Sequence, residues 1–309
     1  MKKIRKGYSI IIICLFIISF TGCSSKNSSE SKEDNVPATI ERCFENYENT
    51  LNADSYNLEL TVSRQKYEEE YYSKIQYCTV DEEKYVLTEF LDEEKNYDTA
   101  EIGKYINEDY CIYMAANYEN EYIFREPYTS HTGCGYFTNS IAHWYSNYKG
   151  TDDDVRYYTY FISGASYENV YDNDDIPEYV SIKEAIIKAD NDGDNSFIDN
   201  MEINGNECTV IMDYTALLNY LTENEIEDMS YQIEHYDFNN YKFVLYFKLN
   251  GKYLSEFKHY FTYDDFEIPE GSYMKFTDIN KLDKKCDAVK LYNDCLKKFN
   301  LTDEKILDN

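Results

Sequence analysis

The chain has 309 residues, and 59 Asp and Glu against 30 Lys and Arg give it a formal net charge of −29. An acidic excess of that size repels phosphate backbones and anionic headgroups, so nucleic-acid binding is disfavoured. Mean hydropathy is low, yet 35 Tyr and 16 Phe supply ample surface to bury, which argues for a folded chain over a disordered one.

The first element is a secretory signal. Lys2, Lys3, Arg5 and Lys6 precede an almost unbroken apolar run, Ile10 to Phe20, and small residues follow at once. The run is short of the ~20 apolar residues a membrane-spanning helix needs. The segment Phe20-Thr21-Gly22-Cys23 resembles the bacterial lipobox, with Phe20 where that family usually has Leu, Val or Ile. The resemblance implies that residues 1–22 are removed and that Cys23 becomes a lipidated N-terminus. Two acyl chains would hold it on the outer face of the membrane, each buried CH₂ contributing ~0.8 kcal/mol. The Ser/Asn/Glu/Lys tract from Ser24 to Asp34 then reads as a flexible tether, within 23–37. Loss of the signal leaves the mature chain four charges more negative.

A folded domain is expected over 38–300, followed by a tail, 301–309. Ile40, Cys43, Phe44, Tyr47 and Leu51 recur at helical spacing after Pro37, which suits a first helical turn. From Tyr56 the period changes to two, and strands are expected at 56–62, 71–80, 85–91, 102–106, 110–114 and 121–124. Connections this short suit an antiparallel meander. A short helix with Trp144 is expected at Ser140–Tyr148, capped by Asn139, then a strand at Tyr157–Ile162. Ser181–Ala189 reads as a helix with Ser181 and Glu184 as a capping box.

Two Asn-Gly pairs, Asn204-Gly205 and Asn250-Gly251, mark hairpins: Met201–Ile203 with Cys208–Met212, and Tyr241–Leu249 with Lys252–Tyr263. Between them a helix starts at Asp213 and carries Leu217, Leu218, Leu221 and Ile226, and Met229–Tyr236 reads as a strand. The last helix is expected over Ile279–Phe299, with Leu282, Cys286, Val289, Tyr292, Leu296 and Phe299 on one stripe. Helix-then-meander thus occurs twice, over about 38–170 and 200–300, and the pattern leaves open whether the halves share a sheet.

That order of elements, with the two Asn-Gly hairpins, resembles the LolA/LppX-type half-barrel lipoproteins over about residues 38–265. The resemblance implies an α+β fold, a curved antiparallel half-barrel-like meander packed against a few helices, whose apolar concave face in some relatives holds lipid. The long acidic middle section and the C-terminal helix depart from that pattern.

Nine cysteines are present. Cys14 leaves with the signal and Cys23 is the anchor. Cys43, Cys78, Cys111, Cys134, Cys208, Cys286 and Cys295 remain, an odd set without a disulfide framework. They read as mostly buried thiols, with room for one bridge.

Catalytic motifs are absent: no Gly-x-Ser-x-Gly, no His-Glu-x-x-His, no Cys-x-x-Cys. His131, Cys134 and His143 gather ligand-type side chains but lack the set zinc requires, and a Gly-rich loop is the simpler reading. Asp190, Asp192, Asp194 and Asp199 offer oxygens for a weak Ca²⁺ site, the one cofactor candidate. The EF-hand register fails in both phases: starting at Asp190 puts Met201 at the last ligand, and centring on Gly193 puts Lys188 at the first. A solvated linker is the alternative. Strand tyrosines, among them Tyr71, Tyr77, Tyr85, Tyr110, Tyr113 and Tyr241 with Phe243, would line a groove or pack a core. The leading expectation is a non-enzymatic lipoprotein that carries an apolar or amphipathic ligand in a groove. The alternative is a structural or protein-interaction lipoprotein of the cell envelope.

Overall fold

The helical period after Pro37 winds into α1 (Ile40–Leu51), with Ile40, Cys43, Phe44, Tyr47 and Leu51 all buried. Thr39 is its N-cap, accepting a hydrogen bond from the Arg42 N–H at 3.3 Å, so Pro37 lies outside the first turn. The computed structural model describes residues 37–64, 69–105, 110–119, 121–131, 143–147, 155–159, 177, 179–262 and 270–307. Residues 1–36, which hold Cys23, the expected signal and the expected tether up to Val36, lie outside them, as does Asn139.

Seven strands follow: β1 (Ser55–Arg64), β2 (Glu69–Val80), β3 (Glu83–Leu91), β4 (Tyr97–Tyr105), β5 (Tyr110–Tyr118), β6 (Tyr122–Phe124) and β7 (Tyr128–His131). β2 and β3 join through Asp81-Glu82, both at positive φ (51° and 70°), the backbone a two-residue hairpin favours. Next come β8 (His143–Asn147) and β9 (Val155–Thr159), which pair in a small sheet of their own. The helix expected at 140–148 is therefore a strand over 143–147. In backbone register Trp144 pairs with Tyr158 and Tyr145 with Tyr157, and aromatic residues are enriched in strands.

α2 (Tyr179–Asp192) begins two residues before the expected helix, so Ser181 sits buried inside it and forms no capping box. β10 (Ile198–Asn204) and β11 (Glu207–Asp213) then make the first hairpin. Asn204 pairs with Glu207, which puts Gly205 first in the turn at φ 62°. α3 (Tyr214–Glu223) is capped by Asp213, whose Oδ1 accepts from the Ala216 N–H at 2.9 Å. The strand expected at 229–236 is a helix, α4 (Ser230–His235). Met229 and Gln232 are buried while Tyr231 is 56% exposed, a spacing of three where a strand would need two. In the second hairpin, β12 (Lys242–Asn250) and β13 (Tyr253–Thr262), Gly251 again comes first in the turn, at φ 60°. β14 (Glu270–Thr277), which the sequence reading passed over, precedes α5 (Asp287–Phe299). α5 starts eight residues later than expected, with Cys286 at its N-cap. The expected tail carries α6 (Asp303–Leu307), which buries Ile306.

The fold is α+β. Twelve strands form one antiparallel sheet that does not close: eleven run in the order β10-β11-β12-β13-β14-β1-β2-β3-β4-β5-β6, and β7 shares the outer edge of β5 with β6. The two meanders meet where β14 pairs with β1, from Asn57–Thr277 to Ser63–Gly271. They share one sheet.

Side chains alternate across a strand, so Tyr77 and Cys78 mark opposite faces. The first face, with Tyr56, Leu58, Leu60, Ile75 and Tyr77 joined by Val210, Leu245, Phe247, Phe257, Met274 and Phe276, packs against α1, α2 and α3. Phe44, Tyr47, Tyr179, Phe247 and Phe257 form its aromatic centre, with centroids 4.8–5.8 Å apart. Backbone at the β12–β13 hairpin is satisfied by α1: the Leu254 N–H donates to Thr50 Oγ1 at 2.8 Å, and Asn46 donates to the Gly251 and Tyr253 carbonyls. The second face carries a separate core. There Cys78, Tyr85, Leu87, Ile102, Ile112 and Met114 pack against Val289, Tyr292, Cys295 and Ile306 of α5 and α6.

Candidate functional site

Among the described residues, α5 and α6 cover the second face at its β2–β5 end. From β11 to β3 the register lines up a row of alternating charge on this face: Glu207, Lys248, Glu256, Lys275, Glu59, Lys74 and Glu89, one residue from each of seven neighbouring strands. Lys248 pairs with Glu207 at 3.2 Å and Glu256 at 3.5 Å, and Lys275 with Glu59 at 3.0 Å. Opposite charges set directly across strands contribute about 0.2–1 kcal/mol each, enough to fix register but little toward overall stability.

Two residues along each strand lies a second row: Tyr246, Lys258, Tyr273, Thr61, Tyr72, Leu91 and Tyr97. Its tyrosines fall on every second strand, roughly 9–10 Å apart. The Lys258 ammonium sits between two of them, 4.9 Å from the Tyr246 ring centre and 4.8 Å from that of Tyr273. Lys95 stands over Tyr72 at 4.3 Å and Lys74 over Tyr97 at 4.9 Å. Tyr97 also meets Tyr118 and Tyr122, with centroids 5.5 and 6.1 Å away, and extends the aromatic row to the β6 edge. Tyr97 and Tyr118 are each 38% exposed.

Burial raises the Glu89 carboxyl at the β3 end of the first row, against the hydrogen bond from Tyr122. Burial pushes Tyr246 up to about 12, with Glu207 adding to the shift, and burial raises Tyr273 as well. A hydrogen bond to Glu207 raises Lys248, and one to Glu59 raises Lys275. These groups thus stay neutral tyrosine and charged lysine through neutral pH. Such a surface offers hydrogen-bond donors, acceptors and ring edges for binding, and these groups offer no proton to exchange near neutrality.

The residues singled out from the sequence are scattered. Asp190 and Asp192 lie at the exposed end of α2, and Asp192 accepts from Lys188 at 3.0 Å. Asp194 accepts from the Ser196 N–H, while Asp199 pairs with Lys242 at 2.7 Å. Among the described residues no three His, Cys, Asp or Glu side chains gather as metal ligands. Tyr77 and Tyr85 are buried on opposite faces, against Tyr56 and Tyr292, and Phe243 is buried beside Tyr214. These three are core residues and line no groove. Tyr241, half-buried, packs on Phe238. Tyr71, Tyr110, Tyr113 and His131 are placed on strands by their backbone, as is His143, whereas Cys134 lies outside the described residues.

The two rows were missed because cross-strand register is not written along the chain. Their only local trace is the alternation that puts Tyr246, Lys248, Glu256 and Lys258 opposite to their apolar neighbours. No protein-family model matches this sequence, and no curated protein is significantly similar to it.

Proposed function

We propose that this chain is an extracytoplasmic lipoprotein, anchored through Cys23, that engages a protein partner in the cell envelope with the open part of its second sheet face. The observation that carries this reading is the distribution of helices. A carrier of the half-barrel type needs its apolar face free for a ligand, and here α1, α2 and α3 fill that face from β10 to β2 with Phe44, Tyr47, Tyr179, Leu217, Leu218 and Leu221. The opposite face keeps a half-exposed band of tyrosine and paired charge. Tyrosine is enriched at protein interfaces because it supplies large contact area with few rotors and a polar tip.

Charge favours the same surface. On a chain of net charge −29, the lysines of these rows offset their glutamates, so a partner meets little of the long-range repulsion the acidic remainder would exert. The open antiparallel sheet and the order of its elements support kinship with the half-barrel lipoproteins, although helices on both faces set this chain apart. The role is binding, without catalysis.

A photo-crosslinking amino acid placed at Tyr273 or Tyr246 in the full-length chain tests the proposal in intact cells. Discrete protein adducts are expected at both positions and none at exposed Tyr231 on α4. Equal labelling at all three, or none at the sheet positions, would refute it.

A further inference from the structure

The structure assigns Cys78 and Cys286 as a disulfide-forming pair. Cys78 is fully buried on β2, Cys286 is buried at the N-cap of α5, and their sulfurs lie 2.8 Å apart. That separation is well inside the ~3.5–4.0 Å at which even carbon atoms rest in contact. The bond would tie α5 to the sheet at the point where the Ala288 N–H donates to Gln76 Oε1, 2.8 Å away. Cys295, on the inner side of α5, sits apart as a buried thiol pushed up to about 11 by burial.

The two thiols are unequal. The hydrogen bond from Cys78 pulls Cys286 down to about 7 against the effect of burial, helped by the N–H groups of Val289 and Ala288 at the start of α5. Cys286 is therefore the thiolate that begins the exchange. It attacks one sulfur of an external disulfide, from a dithiol oxidase or a small-molecule disulfide, and releases one donor thiol. Cys78 then loses its proton to solvent and attacks the Cys286 sulfur of that mixed disulfide, releasing the second donor thiol. Two protein thiols become one disulfide, and the donor disulfide is reduced to two thiols.

In the cell the bridge rests on the proposed export to an oxidising compartment. The test separates the two. Full-length chain is alkylated in denaturant without reductant, then reduced and labelled with a heavier reagent, and its peptides are mapped. One sample comes from acid-quenched cells and one from chain refolded in a glutathione redox buffer. The expected result in both is light label on Cys295, heavy label on Cys78 and Cys286, and a linked Cys78–Cys286 peptide before reduction. Light label on Cys78 and Cys286 in the refolded sample, or either one linked elsewhere, would overturn the pairing. A bridge that forms in the buffer but is reduced in cells would support the pairing and count against export. In Cys286→Ser chain, Cys78 should move to the light label.

Discussion

Gly271 and Tyr260 face each other across β13 and β14, so closely that a Cβ on Gly271 would lie 2.5 Å from the Tyr260 Cα and 2.2 Å from the His259 carbonyl oxygen. Only glycine fits there. β14 is the strand through which the second meander joins the first. Gly271→Ala should therefore destabilise the chain by about 3 kcal/mol, the upper range for overpacking a closed site. Urea unfolding measures it; a loss below about 1 kcal/mol would mean that β13 and β14 are not so close.

The same glycine explains why β14 was illegible in the sequence. Gly271 and Ser272 interrupt the apolar alternation that Met274 and Phe276 carry, and too little pattern is left to announce a strand. The Asn-Gly hairpins and the stripe of α1 were legible because turn chemistry and helical period are local. α4 was misread because Tyr231 and Ile233 imitate strand alternation until burial shows that Met229 and Gln232 are the inner pair. The tyrosine–lysine rows are a product of register across as many as seven strands, which no local pattern encodes.

Asp213 does two tasks, capping α3 and binding Lys242 at 2.8 Å. Asp213→Ala should cost about 1–2 kcal/mol, and Asp213→Asn, which keeps the cap, about half of that. Burial works against the charged form, but the Lys242 bond and the Ala216 N–H outweigh it and hold the Asp213 pKa below the ordinary value. Its contribution is thus complete above the usual carboxylate range and disappears as pH falls through the depressed pKa. Denaturation midpoints of wild type and Asp213→Ala should differ at neutral pH and converge as the pH is lowered through the acid range.

Lys104 is nearly buried between Glu83 and Asp303, 2.6 Å from each, while Tyr85 donates to Glu83 and Tyr292 to Asp303, both at 2.7 Å. This network docks α6. Burial opposes the Lys104 ammonium, yet the bonds to Asp303 and Glu83 raise its pKa overall; burial also opposes the Glu83 carboxylate, and the bonds from Lys104 and Tyr85 lower its pKa overall. Glu83 contributes fully above its ordinary pKa and loses this as pH falls through its lowered one, whereas Lys104 contributes until pH rises through its raised one. Lys104→Met should cost about 3 kcal/mol, the lower end for breaking a buried pair, because Glu83 is half exposed. It should also free the C-terminus to proteolysis; a chain as resistant as wild type would contradict the docking.

Calcium should leave the chain unchanged. Asp192 and Asp199 already answer to Lys188 and Lys242, and Asp190 points into solvent. Thermal unfolding in millimolar Ca²⁺ and in chelator should therefore give the same midpoint, and a rise of several degrees with calcium would restore a metal site to the Asp190–Asp199 segment.

From β10 to β2 the first sheet face is occupied by the chain's own helices, and on the function proposed above the protein works through the other face. Native mass spectrometry of the full-length chain, extracted in mild detergent, tests it most directly. The mass should equal residues 23–309 with the acyl groups on Cys23 and nothing more. A second, non-covalent lipid retained through detergent removal would contradict the claim and return the first face to a carrier role.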